Sequence, residues 1–321
     1  MSDKSSSMEL TSCPLCGSEA SEVRYQVRNR HAESPRRFTF VECGECGLVY
    51  LNPRPGGDAM ADYYPPTYDL YASSSSELSV PERWIVRYGL WKRCRPLVRH
   101  RSPGRILDIG CGKGHFLAAI RDMRWEPVGI DSNPDAVESA RDDLQIEAYC
   151  RRFRDNEFAA AAFDAVTMWD SLEHLHEPRE ALLEVKRILK PGGLLLLRVP
   201  SLDSLDARLF GAFWAGLDPP RHLTVFSRET LVRLLTETGF TVERSWCMSG
   251  SHASFVLSLR SYLEQRGSNG VAGAVLKAFL RALSNPVGQV LSSPYFYFVD
   301  KLALGPEITT LCRKRERTNR Q

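Results

Sequence analysis

Arg105-Ile106-Leu107-Asp108-Ile109, followed by Gly110-Cys111-Gly112-Lys113-Gly114, decides the fold. The first five residues read as a strand buried on both faces. The glycines place a sharp turn where that strand meets a helix, with backbone free to approach a ligand. Their spacing is G-x-G-x-G. A dinucleotide fingerprint needs its third glycine one residue later, where His115 stands, and no Gly-Lys-Ser/Thr closes the loop as a P-loop requires. Asp131 ends the next strand, 23 residues after Asp108, with Ser132 behind it. A carboxylate there accepts hydrogen bonds from ribose hydroxyls in doubly wound folds.

Outward from this loop, strands and helices alternate. Pro127–Asp131, Ala165–Trp169 and Leu194–Val199 read as strands, the last apolar apart from Arg198. Helices are predicted over 114–123, from Pro134 behind an Asn133 cap, and over 178–190. The alternation predicts a parallel sheet covered on both faces. Upstream, residues 83–105 carry eight Arg or Lys and no acid. Trp84, Tyr88 and Trp91 fall there at helical spacing, which predicts a basic amphipathic helix ending near Pro96, its aromatic face packed into the core. Downstream, 228–237 reads as a helix stopped by Gly239, 240–248 as a strand, 250–304 as an apolar and partly helical stretch, and 308–312 as β-prone before a basic tail.

At these residues the chain resembles the class I S-adenosylmethionine-dependent methyltransferases. The resemblance rests on Asp108 through Gly114, Asp131, Phe163-Asp164-Ala165-Val166 and Leu189-Lys190-Pro191-Gly192-Gly193-Leu194, and covers about residues 100–248. It implies an α/β, doubly wound, Rossmann-like sheet of seven strands with the last antiparallel. Residues 308–312 are then expected as that last strand, with 250–304 as a helical insertion before it. The resemblance also implies S-adenosyl-L-methionine as cofactor, with Asp108, Gly110, Gly112 and Gly114 facing its methionine end, Asp131 and Ser132 its ribose, and Asp170 beside it. One departure stands out: Cys150-Arg151-Arg152-Phe153 offers no carboxylate where many relatives place one near the adenine.

Nine cysteines, an odd number, argue against a disulfide framework. Cys13-Pro14-Leu15-Cys16-Gly17 and Cys43-Gly44-Glu45-Cys46-Gly47 form two C-x-x-C-G knuckles. Four thiolates close a tetrahedral coordination sphere, so Cys13, Cys16, Cys43 and Cys46 are expected to hold one structural Zn²⁺; two unrelated pairs or a redox pair is the other reading. The run Cys46 to Pro55, with Tyr63-Tyr64 downstream, resembles the zinc-ribbon head of a group of bacterial methyltransferases, some of which modify sugars or glycan and lipid intermediates. Loss of a zinc ligand is expected to unfold the head and leave the cofactor site intact. Cys94, Cys111, Cys150, Cys247 and Cys312 read as small core residues.

Two further runs carry titratable groups. Asp170-Ser171-Leu172-Glu173-His174 follows the strand ending at Trp169, and Asp218-Pro219-Pro220-Arg221-His222 lies in a proline-stiffened loop. His222 or His174 is the candidate general base with Glu173 beside them, and Arg221 the candidate fork for a phosphate or carboxylate. Glu173 and His174 also read as a hydrogen-bonded wall of the pocket, and Arg221 as a surface partner of Asp218. Some small-RNA and quinone methyltransferases use an acid-x-x-Glu-His run with a metal, which Asp170, Glu173, His174 and His222 would imitate.

Composition is that of an ordinary globular chain: 321 residues, 43% hydrophobic, 25% charged, net charge +3. No apolar run is long enough to span a membrane and no signal-like segment opens the chain, so a cytoplasmic protein is expected. The expected organisation is a zinc-ribbon head over 1–60, a linker over 61–82, the cofactor-binding methyltransferase domain over 83–249, a helical insertion or cap over 250–304, and the last strand and basic tail over 305–321. The leading reading is methyl transfer to a small-molecule, sugar or lipid-linked glycan acceptor. The alternatives are an RNA methyltransferase, served by the basic segment 83–105, and a non-catalytic adaptor of the same fold. Residues 271–300 are a candidate peripheral membrane contact, with a cap over the active site or a dimer contact as the alternative. The acceptor atom and the oligomeric state are not legible.

Overall fold

The computed structural model describes residues 8–29, 36–64, 80–248, 250–266 and 270–316. Most of the expected linker, with Pro65-Pro66 and Ser73 through Ser76, and the end of the basic tail lie outside the described residues.

Five short strands come first: β1 (Met8–Glu9), β2 (Ser21–Arg28), β3 (Arg37–Cys43), β4 (Val49–Leu51) and β5 (Arg54–Pro55). β2, β3 and β4 pair antiparallel, and β1 pairs with β5. Helix α1 (Val80–His100) follows. It runs through Pro96 instead of ending there. Proline removes one backbone donor, but Cys94 and Leu97 on either side are fully buried and hold the last turn against the core. Trp84, Tyr88 and Trp91 are exposed, so the aromatic face of this helix does not pack into the core as its spacing suggests.

The alternation then unfolds as β6 (Arg105–Ile109), α2 (His115–Arg121), β7 (Glu126–Asp131), α3 (Pro134–Asp142), β8 (Glu147–Cys150), β9 (Phe163–Trp169), α4 (Pro178–Ile188) and β10 (Leu189–Pro200). Asn133 caps α3 by accepting from the amides of Asp135 and Ala136. After α5 (Leu205–Phe210), β11 (Thr224–Val225) and α6 (Arg228–Glu237), β12 (Phe240–Trp246) leads to three helices. These are α7 (Ser251–Arg266), α8 (Gly270–Ser284) and α9 (Pro286–Lys301), and β13 (Glu307–Lys314) closes the chain.

Seven strands form the central sheet in the order β12-β13-β10-β9-β6-β7-β8. β8, β7, β6, β9 and β10 are parallel, and β13 runs antiparallel between β10 and β12. Expected residues 308–312 therefore are the inserted last strand, and α7, α8 and α9 lie between it and β12. The reason is visible in burial: Ile308 to Cys312 and the facing Leu194 to Leu197 are fully or almost fully buried, a stretch apolar enough to sit inside a sheet rather than at its edge. The order in which successive strands are added reverses between β6 and β9, from β6-β7-β8 on one side to β9-β10 on the other, so the crevice at their C-terminal ends is the place for a ligand.

β11 joins the other sheet, in the order β11-β4-β3-β2. The head's sheet thus takes its edge strand from the segment just after His222, and Leu15, Leu48 and Tyr50 share a buried cluster with Phe226, Leu231 and Leu235. Of the scattered cysteines, Cys150 departs from expectation: it is exposed at the end of β8.

Candidate active site

The loop after β6 has Gly110, Gly112 and Gly114 at φ 76°, 50° and 77°, the left-handed region that favours glycine. Gly110 also has no room for a side chain, since a Cβ there would run into the Ser171 side chain. That contact sets the β6 loop directly against the loop after β9. The amide of Gly112 donates to Asp131 Oδ2 at 2.9 Å, and the amide of Asn133 donates to Asp131 Oδ1 at 2.9 Å. Asp131 is half-buried, and its carboxylate keeps lone pairs free for further donors. Ser132 beside it is exposed. Asp108, under the loop, is 2% exposed and accepts from Thr167 Oγ1 at 2.6 Å. Burial pushes its carboxyl up to about 8 although the Thr167 bond acts the other way. Glycine backbone, a buried carboxyl and a half-open carboxylate fit S-adenosyl-L-methionine, whose ammonium and ribose hydroxyls would supply the missing donors.

Asp170 is assigned to the cofactor by the sequence reading. In the structure its carboxylate is held by Arg198, which donates from Nε to Asp170 Oδ1 at 2.9 Å and reaches Glu307 with its other end at 3.0 Å. Arg198 escaped the sequence reading as a site residue, although it is the one charge in an apolar strand. This network braces the end of β9 against β10 and β13.

Glu173 is fully buried, and neither carboxylate oxygen has a hydrogen-bond partner among the described residues. Burial, helped by the nearby Asp170, raises its carboxyl well above the ordinary range. His174 and His222 lie edge to face, ring centroids 4.8 Å apart. One ligand atom from each of Glu173, His174 and His222 falls within 4.8 Å of the others. His222 Nδ1 sits 2.8 Å from the carbonyl of Gly216, and His174 Nδ1 sits 2.9 Å from the carbonyl of Arg221 and 3.1 Å from the Tyr64 hydroxyl. A carbonyl only accepts, so Nδ1 carries the proton in both rings and each Nε2 is the basic nitrogen. Burial lowers both histidines, His174 to about 4 with the neighbouring His222 contributing.

Arg221 is not available as a substrate fork. It is 1% exposed, and its guanidinium clamps Asp218 at 2.8 and 2.6 Å and donates to the carbonyl of Tyr63 at 3.2 Å. The Asp218–Arg221 pairing is real, but it is buried rather than at the surface, and it holds the loop that presents His222.

In the head, Cys13 and Cys46 place their sulfurs 3.5 Å apart, as do Cys16 and Cys43, and all four lie within 4.8 Å. Tetrahedral Zn²⁺ with Zn–S bonds of about 2.3 Å sets sulfurs about 3.8 Å apart, so the four thiols fit one ion. Gly17 and Gly47, at φ 77° and 71°, return their amides to the carbonyls of Cys13 and Cys43 at 2.8 and 3.0 Å, which closes each knuckle.

A methyltransferase-domain profile matches residues 85–245. The chain belongs to the methyltransferase-domain family. Within it, a ubiquinone biosynthesis O-methyltransferase of Alkalilimnicola ehrlichii is 36% identical to it over 28% of this chain and 38% of the relative. A Mycolicibacterium smegmatis protein named as a probable S-adenosylmethionine-dependent methyltransferase is 28% identical over 45% of this chain and 55% of the relative. The chain thus spans about half the length of, or less than, these two curated relatives. Among solved structures, an S-adenosylmethionine-dependent methyltransferase from Mesorhizobium loti is 15% identical and superposes with a TM-score of 0.48 over 70% of this chain and 98% of its own. The matched segment of this methyltransferase-domain chain contains the glycine loop, Asp131, Glu173, His174 and His222; the four-cysteine head lies outside it.

Proposed function

We propose that this chain methylates a hydroxyl oxygen of a small-molecule, sugar or lipid-linked acceptor with S-adenosyl-L-methionine as donor. The observation that carries the reading is the Glu173–His174–His222 cluster, packed one loop away from Gly110 through Ser171. When bound, the cofactor supplies an electrophilic methyl group on a sulfonium. The remaining task falls to the protein: align the acceptor oxygen in line with that methyl and take its proton. Asp108 and the glycine loop would hold the methionine end and Asp131 the ribose. His222 Nε2 is suited to take the acceptor proton, because its ring is neutral and its Nδ1–H is fixed on Gly216. His174, equally neutral, would pass that proton on or orient the hydroxyl. Glu173, close to both rings, would balance the charge that develops on them. Glu173 is fully buried and the two rings are half-buried, and an acceptor seated over them would exclude water, which favours a transfer that neutralises charge. The Alkalilimnicola relative, an O-methyltransferase by name, agrees with an oxygen acceptor.

A second reading uses the same three residues as ligands for a divalent cation. The unpartnered Glu173 carboxylate and the two Nε2 atoms, each opposite an Nδ1–H held by a carbonyl, favour it. Incubation with labelled cofactor and fractionated metabolite or lipid extracts, followed by identification of the product, tests the proposal. A labelled methyl ether supports it, and labelled amines would replace oxygen with nitrogen. Retention of that activity after dialysis against a chelator mild enough to leave one Zn²⁺ per chain in the four-cysteine head separates the proton-transfer reading from the cation reading.

A further inference from the structure

We propose that this protein docks on an anionic lipid surface through the outward faces of α8 and α9 together with the first half of α1. The hairpin of α8 and α9 packs inward on α7 through Leu283, Phe296 and Val299, all buried. Its outward face is apolar and bare. On α8, Val271, Val275 and Phe279 recur every four residues, and on α9, Val287, Leu291 and Phe298 follow one stripe; all six are exposed, Leu291 to 76% and Phe298 to 63%. Exposed apolar rows of this kind on a globular chain mark an interaction surface.

Charge selects the occupant. The thirty residues from Gly270 to Val299 contain Lys277 and Arg281 and no Asp or Glu. Helix α1 carries six Arg or Lys and a single acid, Glu82. Its first turns project Trp84 and Ile85, 68% and 71% exposed, with the Arg87 guanidinium over the Trp84 ring at 5.8 Å and Arg95 over Trp91 at 5.1 Å. Lys92 of α1 donates to the carbonyl of Met248 at 2.6 Å and feels the charges of Asp300 and Lys301, which sets the middle of α1 beside the C-terminal end of α9. Indole rings beside guanidinium groups and aliphatic rows suit the headgroup boundary of a bilayer, where apolar residues enter the acyl region and the bases meet anionic lipid. RNA would explain the bases but not Val271, Val275, Leu291 or Phe298. Among the described residues no helix is long and apolar enough to cross a membrane, so the contact is one of a surface. The inference does not depend on which acceptor is methylated.

Flotation of the full chain with vesicles tests it. Vesicles of phosphatidylcholine with phosphatidylglycerol are expected to carry the protein, and pure phosphatidylcholine vesicles to carry at least about tenfold less. Arg87→Glu with Arg281→Glu and, separately, Leu291→Ser with Phe298→Ser should each reduce flotation by about tenfold or more. Cofactor affinity unchanged in both double variants shows that they are folded. Equal flotation with the two vesicle types overturns the charge argument. A stable dimer in sedimentation, broken by Leu291→Ser with Phe298→Ser, together with no flotation of the parent, overturns the proposal in favour of a second copy. RNA binding that is lost in Arg87→Glu with Arg281→Glu, without flotation, overturns it in favour of nucleic acid.

Discussion

The amide of Leu51, in the head, donates to the carbonyl of Leu223 at 2.9 Å, and the amide of Leu223 donates in turn to the carbonyl of Glu173 at 2.8 Å. Three segments far apart in sequence are joined by two hydrogen bonds, and His222 lies between them. The same seam continues as β11 pairs with β4, with Thr224 opposite Tyr50. Arg54, buried, donates to the carbonyl of His176 at 2.7 Å, and His176 Nε2 meets the carbonyl of Pro55 at 3.0 Å. The head is therefore not a detachable module, as the knuckle motif alone suggests.

A consequence for metal removal follows. Cys43→Ser, or stripping Zn²⁺ with a chelator, is expected to loosen residues 216–226 as well as the head. Methyl transfer should fall by roughly 10²-fold, the scale of a misplaced catalytic group, while cofactor affinity stays within a few-fold. Hydrogen exchange read on the 216–226 amides checks the coupling directly. Unchanged exchange there, with the head unfolded, would show that the head and the loop move independently.

Asp108 predicts a pH dependence. Its carboxyl in the folded chain lies at about 8, above the ordinary 3.8. The folded state then holds a proton that the unfolded state has lost, so Asp108 costs stability progressively as pH rises between those two values. Asp108→Asn should remove that slope, on the order of 1 kcal/mol per pH unit, and melt higher than the parent at pH 8. Cofactor binding near pH 7 should release a proton from Asp108, seen as a buffer-dependent enthalpy in calorimetry, and the variant should show none while binding about 10- to 100-fold more weakly.

Arg221 and Asp218 form a buried pair, so breaking it leaves one uncompensated charge. Arg221→Ala should lower unfolding free energy by about 3–5 kcal/mol in urea titration. An Arg221 that gripped substrate would instead raise KM and leave stability unaltered.

Much of the fold was legible because its signals are local. Glycines at a strand end, Asn133 before Pro134, and the apolar runs at Leu194 and Ile308 each express a backbone or burial requirement within a few residues. The candidate site was legible as residue types but not as partnerships. Asp170 looks like a ligand-facing charge until the structure supplies Arg198, 28 residues further on, and the Asp218–Arg221 pairing, readable as an alternative in the sequence, shows only in the fold that it is buried. Thr167 and Ser171 gave no signal at all, since their roles arise from neighbouring strands. The aromatics of α1 misled for the opposite reason: helical spacing reports that side chains share a face, not that anything covers it.

His222 offers the sharpest test of the chemistry. Its Nδ1–H is anchored on Gly216, burial holds it below the ordinary histidine value, and its Nε2 stands among Glu173 and His174. His222→Ala should lower kcat by about 10²–10⁴-fold, the usual contribution of a positioned base, with cofactor affinity unchanged. Since burial holds the ring below the ordinary value of about 6.5, kcat/KM should stay flat as pH falls from 8 through that value and drop only below it. Stability carries the same sign. A histidine depressed by folding takes up protons more readily when unfolded, so His174, at about 4, contributes stability that is fully present above about 6.5 and is lost as pH falls towards 4. His174→Gln should flatten that acid limb in thermal melts. A pH–rate profile whose acid limb sits at or above 6.5, or a His222→Ala variant with full kcat, would assign the proton transfer to another group.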